Sequence, residues 1–271
     1  RRSGERKAVV AWEAHDAWPD TDFKVVFSRT PDPLGIDLLA HRPAGDKGTF
    51  LLMISPGFTA EKSAVQPKDV CFVLDTSGSM ASRKLEQARR ALSFCLANLG
   101  GQDRFEIVRF STEAEPLFGR LEPVGKDSLE RARDFVAGLK PIGGTAIADA
   151  LERALALRGK DRAGDAARPF LVVFLTDGLP TIGETREDAI VARVKGASAG
   201  TRIFSFGIGT DVNTHLLDRI SGDTRGLSQY VLPTEDIEVK VSGFFAKIRD
   251  PVFSDLSLSF TNSAIRVTAL H

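Results

Sequence analysis

The run Asp75-Thr76-Ser77-Gly78-Ser79 sets one carboxylate and two hydroxyls directly after the apolar stretch Val70-Cys71-Phe72-Val73-Leu74. If that stretch is a buried strand, its end presents hard oxygen ligands at a sheet edge, just before a helical pattern that begins near Arg83. Open α/β sheets bind their ligands at the carboxyl ends of strands. Two further pieces fall where such a sheet would gather them. Thr145 follows the glycine pair Gly143-Gly144, and Asp177 ends the apolar stretch Phe170-Leu171-Val172-Val173-Phe174-Leu175-Thr176. Oxygen-only ligation favours Mg²⁺, Mn²⁺ or Ca²⁺ over zinc. Two carboxylates would neutralise a divalent cation while the hydroxyls ligate without adding charge. The cation would then keep Lewis acidity for one more oxygen donor from outside.

Each residue has a plainer reading. Asp75, Ser77 or Ser79 could cap the following helix, and Asp177-Gly178 alone is a turn signal. Asp149 and Asp211 read as solvated positions rather than extra ligands. Met80 stands beside the site and could rim a ligand surface. The histidines are His15, His41, His215 and His271, too scattered to form a metal-type cluster, with His215 read as a surface residue. Trp12 and Trp18 read as packing residues of the N-terminal region.

Catalysis fits poorly. An aspartate-based phosphotransferase of the haloacid dehalogenase type needs a second carboxylate two residues after the first, and Ser77 stands there. A subtilisin-like hydrolase needs a histidine and a nucleophilic serine, yet no histidine lies between Asp75 and His215, and no Gly-x-Ser-x-Gly elbow is present. There is no Gly-x-x-x-x-Gly-Lys phosphate loop. The residue types argue against an enzyme.

The elements that must position these residues follow from periodicity. Before residue 60, short β-like runs (Ala8 to Trp12, Phe23 to Phe27, Ile36 to Leu39, Phe50 to Ile54) alternate with Gly/Pro/Asp clusters, which suggests antiparallel sheet. Pro56 to Lys68 reads as a linker. From Asp69 the rhythm becomes strand, helix, strand. Leu85, Ala88, Ala91, Leu92, Cys95, Leu96 and Leu99 predict a helix stopped by Gly100-Gly101. Strands are predicted at 105–110, near Leu117, at 170–175, 202–208 and 229–231. Further helices are predicted around Leu129 to Leu139, Ile147 to Leu155, Asp188 to Ala197, Thr214 to Ile220 and Ile237 to Ile248. The expected fold is α/β, a doubly wound, mostly parallel Rossmann-like sheet flanked by helices. After Asp250-Pro251 the pattern returns to strands, at Leu256 to Phe260 and Ile265 to Leu270. Residues 250–271 are therefore expected to pair with residues 1–60 in a smaller antiparallel β-sandwich, from which the domain at 69–249 projects.

The 36 basic residues equal the 36 acidic ones, so nothing in the charge balance points to nucleic acid or an anionic membrane as partner. No run approaches the about 18 apolar residues of a membrane-spanning helix. The chain opens at Arg1 rather than methionine, which reads as a trimmed fragment and makes the lack of a signal peptide uninformative. Cys71 and Cys95 fall on apolar faces of a strand and a helix; buried free thiols are the simpler reading, and a disulfide would need suitable Cα spacing.

On Phe72 to Met80, Gly143-Gly144-Thr145, Val172 to Gly178 and Phe206-Gly207-Ile208-Gly209, the sequence resembles a von Willebrand factor type A domain over residues 69–249. The resemblance implies a metal-ion-dependent adhesion site made of Asp75, Ser77, Ser79, Thr145 and Asp177. Ser77 and Ser79 would bind the cation directly, Mg²⁺ first and Mn²⁺ or Ca²⁺ as alternatives. A partner protein would supply a Glu or Asp to the open position. It also implies that displacement of the last helix, Ile237 to Ile248, couples to site affinity. The flanks (Phe50 to Pro56, Pro67 to Val70, Asp103 to Phe110) are similar to proteins that pair a vault/inter-alpha-trypsin domain with this module, such as the inter-alpha-trypsin inhibitor heavy chains. Residues 1–60 would then be the tail of such a domain, and the implied setting is extracytoplasmic, secreted or surface-attached. The competing expectation is a structural or assembly domain whose metal is architectural.

Overall fold

The computed structural model describes residues 34–56, 66–160, 168–249, 259–262 and 264–267. It divides the chain into two units, Arg1–Ser63 and Ala64–His271. In the first, β1 (Leu34–His41) and β2 (Thr49–Pro56) form an antiparallel hairpin in register from Leu34 opposite Pro56 to His41 opposite Thr49. Apolar side chains of both strands are exposed, among them Ile36, Leu38, Leu39, Leu51 and Met53. The runs expected at Ala8 to Trp12 and Phe23 to Phe27, with both tryptophans, lie outside the described residues.

In the second unit, apolar runs that permit no solvated face become the middle of a sheet. β3 (Asp69–Asp75) and β7 (Phe170–Thr176) are buried at every position, as expected of parallel strands covered on both sides. Around them lie β4 (Arg104–Phe110), β5 (Ala114–Pro116), β6 (Glu122–Pro123), β8 (Thr201–Ile208) and β9 (Ser228–Val231). The order is β5-β4-β3-β7-β8-β9. The pairs β3–β4, β3–β7, β7–β8 and β8–β9 are parallel, and β5 and β6 run antiparallel to β4 at its edge. The strand expected near Leu117 is β5, while the two-residue β6 is too short to leave a periodic signal.

The helices are α1 (Arg83–Ala97), α2 (Lys126–Gly138), α3 (Ile147–Lys160), α4 (Glu187–Ala197), α5 (Thr214–Asp223) and α6 (Ile237–Ile248). Their apolar stripes divide between the two faces of the sheet. α1, α2 and α6 close one core, where Phe244 meets Phe204 and Phe206 at ring-centroid distances of 4.9 and 5.2 Å. α3, α4 and α5 close the other, which includes Phe110 stacked on Phe174 at 5.7 Å. Cys71 and Cys95 are buried free thiols. The doubly wound, mostly parallel architecture is as expected.

One expectation needs revising. Lys68, at the end of the expected linker, is a built-in part of the domain. It is buried, and its Nζ donates to Asp103 Oδ2 and to the Arg249 carbonyl, both at 2.5 Å. Composition alone could not reveal this, because the ion pair joins positions far apart in the chain. The strands expected at Leu256 to Phe260 and Ile265 to Leu270 lie mostly outside the described residues; positions 259–260 and 265–267, which are described, carry no strand.

Candidate metal centre

Asp75 is the last residue of β3, and Asp177 directly follows β7. These neighbouring strands flank the point where the strand order reverses. From β3 the chain goes on to α1 on one face; from β7 it goes on to α4 on the other. Connections that part in this way leave a crevice at the carboxyl ends of the two strands.

Backbone hydrogen bonds knit three loops around that crevice. Gly78 N donates to the Gly143 carbonyl at 3.1 Å, and Ile142 N to the Thr76 carbonyl at 2.8 Å. Thr76 N in turn donates to the Phe110 carbonyl at 2.7 Å. Gly143 has φ +77°, and a Cβ there would lie 2.5 Å from Thr112 Oγ1, so only glycine fits the turn that delivers Thr145. Thr145 N donates to Thr181 Oγ1 at 2.8 Å, and its carbonyl accepts from Thr181 N at 3.0 Å.

Asp75 is buried, and both of its oxygens are engaged. Oδ1 accepts from Ser77 N at 2.7 Å, and Oδ2 from Thr176 Oγ1 at 2.5 Å. Ser77 Oγ and Ser79 Oγ are 3.1 Å apart, and Ser79 Oγ donates to Asp177 Oδ1 at 2.7 Å. The other oxygen of Asp177 accepts from Lys84 Nζ at 2.5 Å. A Cβ built on Gly178 would lie 3.5 Å from Thr145 Oγ1 and 3.9 Å from Ser79 Oγ, so Thr145 stands against the same pocket. Thr145 Oγ1 itself has no hydrogen-bond partner among the described residues. Asp75, Ser77, Thr145 and Asp177 are buried and Ser79 is exposed, so the cluster opens to solvent on the Ser79 side.

Burial raises the Asp75 carboxyl to about 6, against the lowering effect of the Thr176 and Ser77 hydrogen bonds; the Asp177 charge pushes in the same direction as burial. A divalent cation here would offset the burial that chiefly disfavours ionised Asp75, and the smaller push from the Asp177 charge. The donor set of two carboxylates and three hydroxyls suits a hard divalent cation. Among the described residues, no group of three or more His, Cys, Asp or Glu is placed to hold a metal ion, so any cation here would rely on hydroxyls as well as carboxylates.

The plainer readings resolve as follows. None of Asp75, Ser77 and Ser79 caps α1, whose N-cap position is Ser82. Asp149 and Asp211 are exposed, as read. His41 is exposed, and His215 is exposed against Glu187, with Nδ1 at 2.6 Å from Oε2. Met80 does not rim the site. It is fully buried in the core beneath it, because the 3₁₀ turn Gly78–Met80 rotates the thioether inward. Three participants escaped the sequence reading: Thr176, Thr181 and Lys84. Only Lys84 left a signal, since cations are disfavoured in the first turn of a helix and α1 begins Arg83-Lys84.

A sequence model of the von Willebrand factor type A domain matches residues 68–230. The human inter-alpha-trypsin inhibitor heavy chain H4 is 32% identical over 212 residues, which are 77% of this chain and 23% of that protein. The chain thus spans about a quarter of the length of the curated relatives it matches. Among solved structures, a von Willebrand factor type A protein from Catenulispora acidiphila superposes with a TM-score of 0.61 at 18% identity, over 81% of this chain and 49% of that one. Proximal thread matrix protein 1 from the mussel byssus, described with a zinc-occupied MIDAS motif, superposes with a TM-score of 0.54 at 19% identity, over 68% of this chain and 46% of that one. At these identities the structural likenesses concern the fold.

Proposed function

The chain belongs to the von Willebrand factor type A domain family, and from that premise we propose that it is a non-enzymatic, divalent-metal-dependent protein-binding module. Asp75, Ser77, Ser79, Thr145 and Asp177 hold the cation, and a glutamate or aspartate of the partner protein completes its coordination. The observation that carries this reading is the convergence of all five residues, from three separate loops, on the crevice between β3 and β7, with Ser79 open to solvent. A cation closed off by the chain's own side chains would suit an architectural role; the exposed Ser79 favours the binding role instead.

When bound, the cation supplies a Lewis-acidic position for an outside carboxylate. The residues of this chain do the rest. The two carboxylates provide charge neutralisation, the hydroxyls provide ligation without further charge, and the Gly143 turn and the Thr76 backbone fix the loops. Mg²⁺ is the first choice for an all-oxygen set, with Mn²⁺ and Ca²⁺ next. The zinc-occupied motif of the mussel byssus protein makes Zn²⁺ a competitor to include in any titration.

Residues 1–60 are, on this reading, the tail of a vault/inter-alpha-trypsin-type domain, which is consistent with the exposed apolar side chains of β1 and β2. The setting on this reading is extracytoplasmic, secreted or surface-attached. No helix among the described residues is long and apolar enough to cross a membrane.

The test is a Mn²⁺ titration of chelator-stripped protein, followed by binding to an array of glutamate- and aspartate-bearing peptides. Wild type is expected to bind one Mn²⁺ and to capture acidic peptides only when loaded. Asp75→Ala should lose both properties, and EDTA should release the peptides. Capture that survives EDTA or Asp75→Ala would sink the proposal.

A further inference from the structure

Lys84 is the one cation in direct contact with the candidate ligands among the described residues. Its Nζ lies 2.5 Å from Asp177 Oδ2, on a carboxylate with no exposed surface, while the lysine side chain is 39% exposed. The opposite oxygen of Asp177 accepts from Ser79, so the ammonium and the hydroxyl share one carboxylate. Lys84 belongs to the first turn of α1, where the helix dipole opposes a positive charge. Its placement there is offset by Asp177, from an element far away in sequence. Gly209, at φ +92°, passes beside the amine; a Cβ built there would lie 3.7 Å from Nζ. The chain therefore sends a long, partly solvated side chain back into the site.

We propose that Lys84 is the fixed counter-charge of the site, competing with the divalent cation for Asp177 and giving the loaded site the net positive charge that attracts a carboxylate. This rests on the metal-dependent binding reading above. The charge count decides the sign. Ionised Asp75 and Asp177 carry two negative charges; a divalent cation alone would bring the sum to zero, whereas with Lys84 present it reaches plus one. A positive charge so close to a ligand carboxylate repels the incoming cation and lowers its affinity. The same charge favours the anionic side chain that arrives afterwards. Lys84 thus weakens the first binding step and strengthens the second.

The experiment compares chelator-stripped wild type, Lys84→Met, Lys84→Gln and Lys84→Arg by Mn²⁺ titration. Acetate is then titrated into each Mn²⁺-loaded protein as the simplest carboxylate probe. Both neutral variants are expected to bind Mn²⁺ about tenfold more tightly, ~1.4 kcal/mol, and acetate several-fold more weakly. Lys84→Arg should restore wild-type behaviour in both titrations. Lys84→Gln can still donate a hydrogen bond to Asp177, so it separates charge from positioning and guards against misfolding of Lys84→Met. Mn²⁺ affinity in the neutral variants equal to or below that of wild type overturns the inference and leaves the metal site standing, as does unchanged or tighter acetate binding. Binding by the neutral variants but not by wild type supports the competition in its strongest form. No Mn²⁺ binding in any of the four proteins overturns the site reading itself, and this inference with it.

Discussion

At the scale of single residues, Asp75 makes the site sensitive to pH. Its carboxyl stands at about 6 in the folded protein, against 3.8 for an ordinary aspartate, with burial as the main cause. The folded protein therefore holds a proton that the unfolded chain has already released. Stability from this group is complete below about 3.8 and is lost as the pH rises through about 6. At about 1.4 kcal/mol per unit, the shift amounts to about 3 kcal/mol. Two outcomes follow. Mn²⁺ affinity should fall by up to about tenfold per unit below pH 6, because the cation competes with that proton. Asp75→Asn should raise the thermal midpoint of chelator-treated protein at pH 8 while abolishing Mn²⁺ binding; a lower midpoint would show that the buried charge is already compensated. Asp75, Ser77, Ser79, Thr145 and Asp177 could be picked out from sequence because each follows an apolar strand or a glycine pair, which are local signals. Thr176 could not, since a threonine ending a buried strand has no periodicity to distinguish it. Lys84 could be placed on a helix, but its partner Asp177 is reached only through the fold.

At the scale of elements, the turns carry most of the specification. Ser82, the N-cap position of α1, has φ 64° and ψ −131°, a conformation that a β-carbon resists. Ser82→Gly should stabilise the domain by about 1 kcal/mol, read as a higher urea midpoint at unchanged slope. Gly143→Ala should act in the opposite sense, because its Cβ would collide with Thr112 Oγ1 at 2.5 Å. It is expected to cost more than about 1 kcal/mol and to weaken Mn²⁺ binding through displacement of Thr145. The strand and helix rhythm between Asp69 and Ile248 was legible because central parallel strands are apolar throughout and each helix buries one stripe. Less legible were features set by contacts between elements. Met80 reads as a rim residue in the sequence, but the 3₁₀ turn buries it. Lys68 reads as linker in the sequence because its partners, Asp103 and the Arg249 carbonyl just after α6, are distant in the chain.

At the scale of the whole molecule, the Lys68 contacts lie at the amino end of β3, opposite the candidate metal centre. Asp103 accepts from Lys68 Nζ and also from the backbone N–H groups of Lys68 and Gly100, at 3.0 and 2.8 Å. Asp69 and Arg104 add a two-pronged ion pair at 2.8 and 2.7 Å beside it. Lys68→Met leaves the buried Asp103 charge without its ammonium and should cost about 3–5 kcal/mol, measured by denaturant unfolding. A loss below about 1 kcal/mol would show that water replaces the amine. One lysine side chain thus joins the residue where the chain enters the sheet to the residue where it leaves the last helix. When tension is applied along the polypeptide, the force path runs from Lys68 across to Arg249 and bypasses β3, β7 and the loops between them. The domain can therefore hang as a bead in a loaded tether, with the candidate metal centre at the slack end.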